Sequence, residues 1–340
     1  MKRIAKNVNI CYDFTIKYIV IFRRAYSMKM FIDCDPGVDD SLAILFALCR
    51  KDVEIVGIST SVGNTSAKQG AYNALGLLKL AGKENQVPVC IGAEQPLEGE
   101  AYDFPEFIHG SNGTGNATLP TPTQEPVDMD VCDFMYDMAC KYAGELVLVT
   151  LGRMTNVANV LKKYPDYPSK IKRVVSMGGT VYSHGNVAPH VEANIGGDPE
   201  AADIAVMADW DMTLVGLDVT LKTHLTRADV DKLRRCCADD KKEIVEFISE
   251  ELKHYMNGSR TQNYTMEYSP LHDPLAMVVA VDPSVVDTRK MVTRIECGGT
   301  YCRGKVVVDL REQPIEGQFV NHCLSVNDRK ALNVLFAAFQ

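Results

Sequence analysis

From residue 30 onward the chain alternates short β-branched runs with segments whose apolar residues recur at helical spacing, and this alternation restricts the fold most. Val53–Thr60 (VEIVGIST) is nearly all apolar or β-branched, the pattern of a strand buried on both faces of a parallel sheet. Residues 30–32, 87–91, 145–151, 173–177 and 213–217 read the same way. Between them, residues 40–48, 66–81, 132–143, 156–164, 199–208 and 227–235 carry helical spacing, and 241–256 forms a longer helix. Such alternation predicts an α/β fold with an open, mostly parallel central sheet flanked by helices. Residues 292–296 and 305–310, joined by GGTYCRG, predict a small C-terminal hairpin appended to that sheet. The Gly-, Pro-, Ser-, Asn- and Thr-rich stretch 92–126 is too long for a mere connector and is expected to be functional.

Charge is distributed unevenly over the 340 residues. Residues 1–27 hold Lys2, Arg3, Lys6, Lys17, Arg23 and Arg24 against Asp13, a net of +5, so the overall −8 leaves −13 for the remainder. An acidic body offers no field for phosphate backbones, which argues against a nucleic-acid partner. The longest uncharged run of the basic segment, 18–22, is too short to span a bilayer, and no cleavage pattern follows it. We therefore expect no membrane partner, a basic N-terminal extension over 1–27 lying outside the domain, and a single domain over 28–340 without repeats. Met28 and Met30 stand as alternative starts. The eleven cysteines are odd in number and include no C-x-x-C pair. Cys49, Cys90 and Cys140 lie in apolar runs, as free thiols do, and Cys297 and Cys302 have no matching pair for zinc. Reduced thiols and a cytoplasmic location are expected.

The chemistry concentrates in FIDCDPGVDD, which places Asp33, Asp35, Asp39 and Asp40 within eight residues. Alternation along the strand sends Asp33 and Asp35 to one side, and Pro36-Gly37 turns the chain into a helix whose first turn holds Asp39 and Asp40. A helix dipole accounts for an acid or two at that position. It does not account for four at the carboxyl end of a strand, where α/β folds bind their ligands. Like charges this close need a cation or shared protons, and oxygen ligands without nearby His or Cys favour a hard ion such as Ca²⁺ or Mg²⁺.

DCDPGVDD resembles the D-x-D-P-G-x-D-D signature of the inosine–uridine-preferring nucleoside hydrolases, and further segments follow in that family's order. VGNTS at 62–66 is similar to its V-G-N segment and HGSNG at 109–113 to its H-G-x-x-G loop. GNVAPHVEANIGGDPEAA at 185–202 resembles G-N…E-x-N…D-P-E-A-A, and LHDP at 271–274 resembles the late H-D-P motif. MGG at 177–179 and LDVT at 217–220 also fit, so the resemblance runs from about residue 29 to the C-terminus. Where the family usually has G-P-L-T-N, this chain has Gly152, Arg153, Met154, Thr155 and Asn156.

The resemblance implies a Ca²⁺-dependent N-ribohydrolase with a Rossmann-like fold, assembled as a dimer or tetramer and acting on small-molecule nucleosides in purine and pyrimidine salvage. Asp35 would activate water as general base, with Asp35, Asp40, Asp273 and the Leu151 carbonyl as metal ligands. Asp39 and Asn194 would bond the ribose 2′-hydroxyl, Asp273 the 3′-hydroxyl, and Asn186 and Glu192 the 5′-hydroxyl. Asn64 and Met177 would face the sugar, and His109 the base edge. The H-D-P form belongs to members that accept pyrimidine nucleosides, and it makes His272 the candidate for protonating the leaving base. Uridine, cytidine and inosine are thus the expected substrates. Tyr264 and Tyr268, in the tyrosine-rich segment 255–268, are candidate base contacts within a mobile cover. The only tryptophan, Trp210, is expected to pack in the core.

The chemistry of the residues agrees. Cleaving an N-glycosidic bond builds an oxocarbenium-like sugar, which calls for activated water, negative surroundings and a proton for the leaving group. A carboxylate at the 5′ position accepts a hydroxyl and repels a phosphate, so nucleosides are expected over nucleotides. Two other readings use the same acids. A haloacid-dehalogenase-type phosphatase also opens with strand-D-x-D, and Asp239-Asp240 supplies an acid pair, though it follows no strand. A non-catalytic Ca²⁺-dependent ribose-binding module would keep Asp40 and Asp273 without needing Asp35 or His272.

Overall fold

The computed structural model describes residues 27–99, 103–262 and 268–340, apart from the side chains of 259–262. In chain order its elements are β1 (Met28–Cys34), α1 (Val38–Cys49), β2 (Val53–Thr60), α2 (Ala67–Leu80), β3 (Val89–Ile91) and the single turn α3 (Glu106–His109). Then come α4 (Val131–Lys141), β4 (Leu146–Thr150), α5 (Thr155–Lys163), β5 (Ile171–Met177), α6 (Ala193–Gly197), α7 (Pro199–Met207), β6 (Met212–Val215) and α8 (Leu217–Thr220). The chain continues through β7 (His224–Thr226), α9 (Arg227–Cys236), α10 (Lys242–Gln262), β8 (Tyr268–Pro270), α11 (Asp273–Val281), β9 (Val286–Ile295), β10 (Val306–Asp309), β11 (Gln318–Val326) and α12 (Asp328–Ala337).

Nine strands form one sheet in the order β10-β9-β11-β6-β5-β4-β1-β2-β3. Pairing is parallel from β3 across to β11, and β9 is antiparallel to both β11 and β10. The core lies on both faces of this sheet, and β1 shows why. Met30, Ile32 and Cys34 face one apolar layer with α1, α2, α10, α11 and α12, while Phe31 faces the other with α4, α5 and α7. Every residue from Met30 to Cys34 is buried, so β1 reads as a continuous apolar run ending in acids. Helix starts are held by local chemistry. Ser66 Oγ accepts the Gln69 N–H at the head of α2, and Asp130 caps α4. Gly82, at φ +66°, takes the left-handed turn that ends α2.

The expected hairpin is present as β9 and β10, but it does not attach to the sheet by itself. β11 lies between β9 and β6 and joins them, and β9 starts six residues earlier than its apolar core suggests. The segment 255–268 is also different from a loop, because α10 continues through Gln262; Tyr264 lies outside the described residues. Cys90 is buried, but Cys140 is exposed on α4 although it sits in an apolar run. Trp210 packs edge-on against Tyr167 and donates its indole N–H to the Ala205 carbonyl, a packing role. No helix among the described residues is long and apolar enough to cross a membrane.

Strands β3-β2-β1-β4-β5-β6 run in the order of a doubly wound sheet, and the winding reverses between β1 and β4. The crevice outside the carboxyl ends of those two strands is where such sheets bind ligands. The acid cluster stands at the end of β1 and Leu151 at the end of β4.

Candidate active site

Two glycines shape the floor of this crevice. A Cβ on Gly63 would lie 1.8 Å from Asp35 Oδ2, and one on Gly152 would lie 2.5 Å from Asp35 Oδ1. Asp35 is therefore held between two stretches of bare backbone, one following β2 and one following β4. The Asn64 N–H donates to Asp35 Oδ2 at 2.8 Å, and the Asn64 side-chain amide donates to Asp40 Oδ2 at 3.0 Å. Asp40 Oδ2 also accepts the Gly37 N–H, which ties the acid to the start of its own helix. Asn64, from the loop after β2, thus spaces two carboxylates that follow β1.

Asp33 sits deeper. Its Oδ1 accepts from Ser59 Oγ and Asn156 Nδ2, and burial raises it to about 6 despite those bonds. Asp33 supports the floor from below, and Asp35, two residues on, packs between Gly63 and Gly152 beneath the cavity.

The carboxylates of Asp39, Asp40 and Asp273 each bring an oxygen within 4.8 Å of the others, and all three residues are buried. Asp35 is 3% exposed and Asp40 fully buried. Buried oxygens Asp35 Oδ1, Asp39 Oδ1 and Asp40 Oδ1 lack hydrogen-bond partners. Burial, followed by mutual repulsion, drives three of the carboxyls toward their protonated forms: Asp40 rises to about 7, and Asp35 and Asp273 rise well above the usual carboxylate range. Repulsion and orphaned acceptor oxygens are both relieved by a cation bound among them. An all-oxygen donor set suits a hard divalent ion. Leu151 lines the cavity beside Asp39 and Asp273, and its carbonyl accepts the Asn194 side-chain amide at 2.5 Å.

Arg153, which stands where the sequence departs from the family's usual run, is 7% exposed. Gly197 makes room for it, since a Cβ there would come within 2.3 Å of its Nε. Its positive charge favours the ionised form of Asp35, opposing burial.

Above the acids opens a cavity of about 520 Å³, a size that fits a small ligand. It is lined by Asp39, Asn64, His109, Leu151, Met177, Asn186, Glu192, Asn194, His272 and Asp273, ten of the residues singled out from the sequence. One side is polar. Glu192 begins α6 and accepts the N–H groups of Asn194, Ile195 and Gly179, while Asn186 Oδ1 accepts from Ala193. The opposite side is more apolar, with Pro105, Phe107, Ile108, Leu221, Tyr255 and Pro270 around two histidines.

His109 comes from α3. Its Nδ1 accepts the Val38 N–H at 3.2 Å, so in the neutral ring the proton is on Nε2. Burial lowers His109 to about 4, which keeps it neutral. His272, just before α11, places Nδ1 2.9 Å from Thr220 Oγ1 of α8, and burial lowers its pKa also. Tyr255 of α10 was inside a segment flagged by sequence but was not singled out there. It is buried, lies 5.6 Å from the His109 ring centre, and donates its hydroxyl to Asp39 Oδ2 at 3.1 Å. Helical spacing on α10 ties Tyr255 to buried Leu252 and Ile248, and this was the available signal. Tyr268 does not line this cavity: it belongs to the two-stranded β7–β8 sheet and stacks on His224 at 3.6 Å. Asp239 and Asp240, the acid pair a phosphatase would need, lie in a surface turn with neither residue buried.

A doubly wound sheet with orphaned carboxylates under a half-polar cavity is the layout of a small-molecule site at the carboxyl ends of the strands. Sequence comparison names the class. Residues 30–333 match the family described as inosine-uridine preferring nucleoside hydrolase. The probable uridine nucleosidase 1 of Oryza sativa subsp. japonica is 38% identical over 281 residues, 83% of this chain and 85% of that protein. Among solved structures, a plant nucleoside hydrolase superposes with a TM-score of 0.86 at 30% identity, covering 92% of this chain and 98% of the other. A purine-preferring ribonucleoside hydrolase from Gardnerella vaginalis superposes with a TM-score of 0.85 at 34% identity, with the same coverage. The chain belongs to the inosine-uridine preferring nucleoside hydrolase family and is a ribonucleoside N-ribohydrolase.

Proposed function

We propose that this enzyme hydrolyses the N-glycosidic bond of uridine, cytidine and inosine in a Ca²⁺-dependent reaction, with Asp35 as the base that activates water. The observation that carries the reading is the trio of buried, partnerless oxygens on Asp35, Asp39 and Asp40 beside Asp273. Asp35, Asp40, Asp273 and the Leu151 carbonyl would hold the ion. When bound, calcium supplies the positive charge that neutralises the cluster and makes nearby water more acidic.

The chain's own residues do the rest. Asp35, held in place by Gly63, Gly152 and the Asn64 N–H, takes the proton of the attacking water. Asp39, Asp273 and Asn194 orient the 2′- and 3′-hydroxyls, and their negative surroundings favour the cationic sugar of the transition state. Asn186 and Glu192 receive the 5′-hydroxyl, while Asn64 and Met177 complete the wall around the ribose. His272, in the imidazolium form that the Asp39 charge favours against burial, delivers a proton to the departing base and is left neutral, and His109 presents its Nε2–H to the base edge.

A pyrimidine preference is supported by the histidine pair at the apolar end of the cavity and by the similarity to a probable uridine nucleosidase. All of these groups fall within 28–340, which we take as a single catalytic domain, with 1–27 an extension that the chemistry does not need. The test is release of reducing sugar from uridine, cytidine and inosine with and without a chelator. Turnover of at least one nucleoside that disappears with the chelator and returns with Ca²⁺ is expected. No turnover of any of the three by folded, Ca²⁺-loaded protein would sink the proposal.

A further inference from the structure

The LDVT turn, α8, stands directly after β6 and lines no part of the cavity, yet its Asp218 gathers three successive backbone N–H groups from the loop whose next residues form a wall of that cavity. Asp218 Oδ2 accepts from Val181 at 2.7 Å, and Oδ1 accepts from Tyr182 at 2.8 Å and Ser183 at 3.0 Å. The carboxylate is 4% exposed. From the other side, Lys305 in the connection between β9 and β10 donates its ammonium to the carbonyls of Thr180 and Val181, both at 3.1 Å. A buried carboxylate and a half-buried ammonium thus grip three or four residues of one loop by its backbone.

That loop runs on through His184, Gly185, Asn186 and Val187 along the cavity and ends at Glu192. Its tip folds on itself through the Ala188–Val191 bridge, in a turn so tight that a Cβ on Gly185 would lie 2.1 Å from the Ala188 carbonyl oxygen. Tyr182 is 63% exposed and Val187 60%, so little side-chain packing holds the tip. Within the tip, the Asn186 N–H donates to the Val191 carbonyl and Asn186 Oδ1 accepts from Ala193, so the tip holds its own shape, and the backbone grip at 180–183 fixes the arm from which it extends over the cavity.

We propose that Asp218 is a positioning residue for the 5′ end of the ribose: it touches no substrate, and by clamping the 181–183 backbone it sets Asn186 at hydroxyl-binding distance. The inference rests on the assignment of Asn186 and Glu192 to the 5′-hydroxyl. Charge-assisted hydrogen bonds from three N–H groups are strong enough to define one loop position, and an amide in place of the carboxylate must turn a donor toward one of them. Misplacing a binding group weakens ground-state and transition-state binding together, which raises KM with little change in kcat.

The test compares uridine with 5′-deoxyuridine in the full-length Ca²⁺-loaded enzyme, for wild type and Asp218→Asn. Wild type is expected to prefer uridine by about tenfold or more in kcat/KM, the worth of one good hydroxyl contact. Asp218→Asn is expected to lose most of that preference through KM for uridine, to leave 5′-deoxyuridine within about twofold, and to speed amide hydrogen exchange across 181–191. Lys305→Met, which removes the grip from outside the α8 turn, is expected to move the same ratio in the same direction and serves if Asp218→Asn does not fold. A folded Asp218→Asn or Lys305→Met protein that keeps the wild-type preference overturns the inference while leaving the 5′ assignment intact. A wild type indifferent to the 5′-hydroxyl overturns the assignment, and the inference with it.

Discussion

Tyr255 donates its hydroxyl to Asp39 across 3.1 Å, joining the helix that covers the base end of the cavity to the acid cluster 216 residues earlier. The phenol is buried, and burial followed by the Asp39 charge pushes its pKa well above the ordinary tyrosine value, so it stays a donor. Tyr255→Phe removes the donor and keeps the ring against His109. A hydrogen bond to a charged group contributes about 1.5–3 kcal/mol to stability, so the melting temperature is expected to fall by several degrees, and kcat/KM for uridine by roughly tenfold or more as Asp39 loses its fixed orientation. An unaltered kcat/KM would mean that Asp39 is oriented without Tyr255.

Gly63 has no room for a side chain, because its Cβ would enter Asp35 Oδ2 at 1.8 Å. Gly63→Ala must displace the carboxylate or the loop by more than an ångström. Displacements of that size in a catalytic group cost on the order of 100-fold in rate. We expect at least that loss in kcat, with circular dichroism like wild type; near-normal kcat would show that Asp35 tolerates movement and is not the base.

Protons and the cation compete for the same oxygens. Burial, followed by repulsion from Asp39, sets Asp40 at about 7, above the unfolded value near 3.8. Raised carboxyl pKa values favour the cation-free fold at low pH, and that contribution is lost as pH rises from about 4 through 7. Added Ca²⁺ restores it only where the acids are ionised, so the rise in melting temperature with 1–10 mM Ca²⁺, about that range for a weak site, should be small at pH 5 and large at pH 8. An equal rise at both pH values would place the ion elsewhere.

His272 is expected to matter only while the leaving base needs a proton. His272→Gln should lower kcat on uridine by about 10²–10⁴-fold, the usual worth of a general acid. A riboside with a p-nitrophenolate leaving group needs no such proton and should be cleaved within a few-fold of wild type. Equal losses on both substrates would make His272 a packing residue beside Thr220.

Much of this architecture is legible in the sequence, and the exceptions have physical causes. The parallel strands announce themselves because burial on both faces demands unbroken β-branched runs, as in Val53–Thr60. α11, DPLAMVVAV, carries no helical period in its sequence, since all but its last residue is buried. β11, QFVNHCLSV, mixes polar and apolar residues because its neighbours cover it unevenly. The acids were legible by their spacing after one strand, and Asn186, Glu192 and Asn194 through the resemblance of their segment to the family's. Tyr255 and Gly63 were not, because their roles depend on which distant residue each faces.

The central claim is that Asp35 activates water in a site loaded with calcium. It is tested most directly by single-turnover release of ribose from uridine in Asp35→Asn, with Ca²⁺ binding measured calorimetrically on the same protein. The account predicts a loss of about 10³-fold or more in the chemical step, within the range for a general base, by a folded protein that still binds the ion. Ribose release within tenfold of wild type by that protein would contradict it.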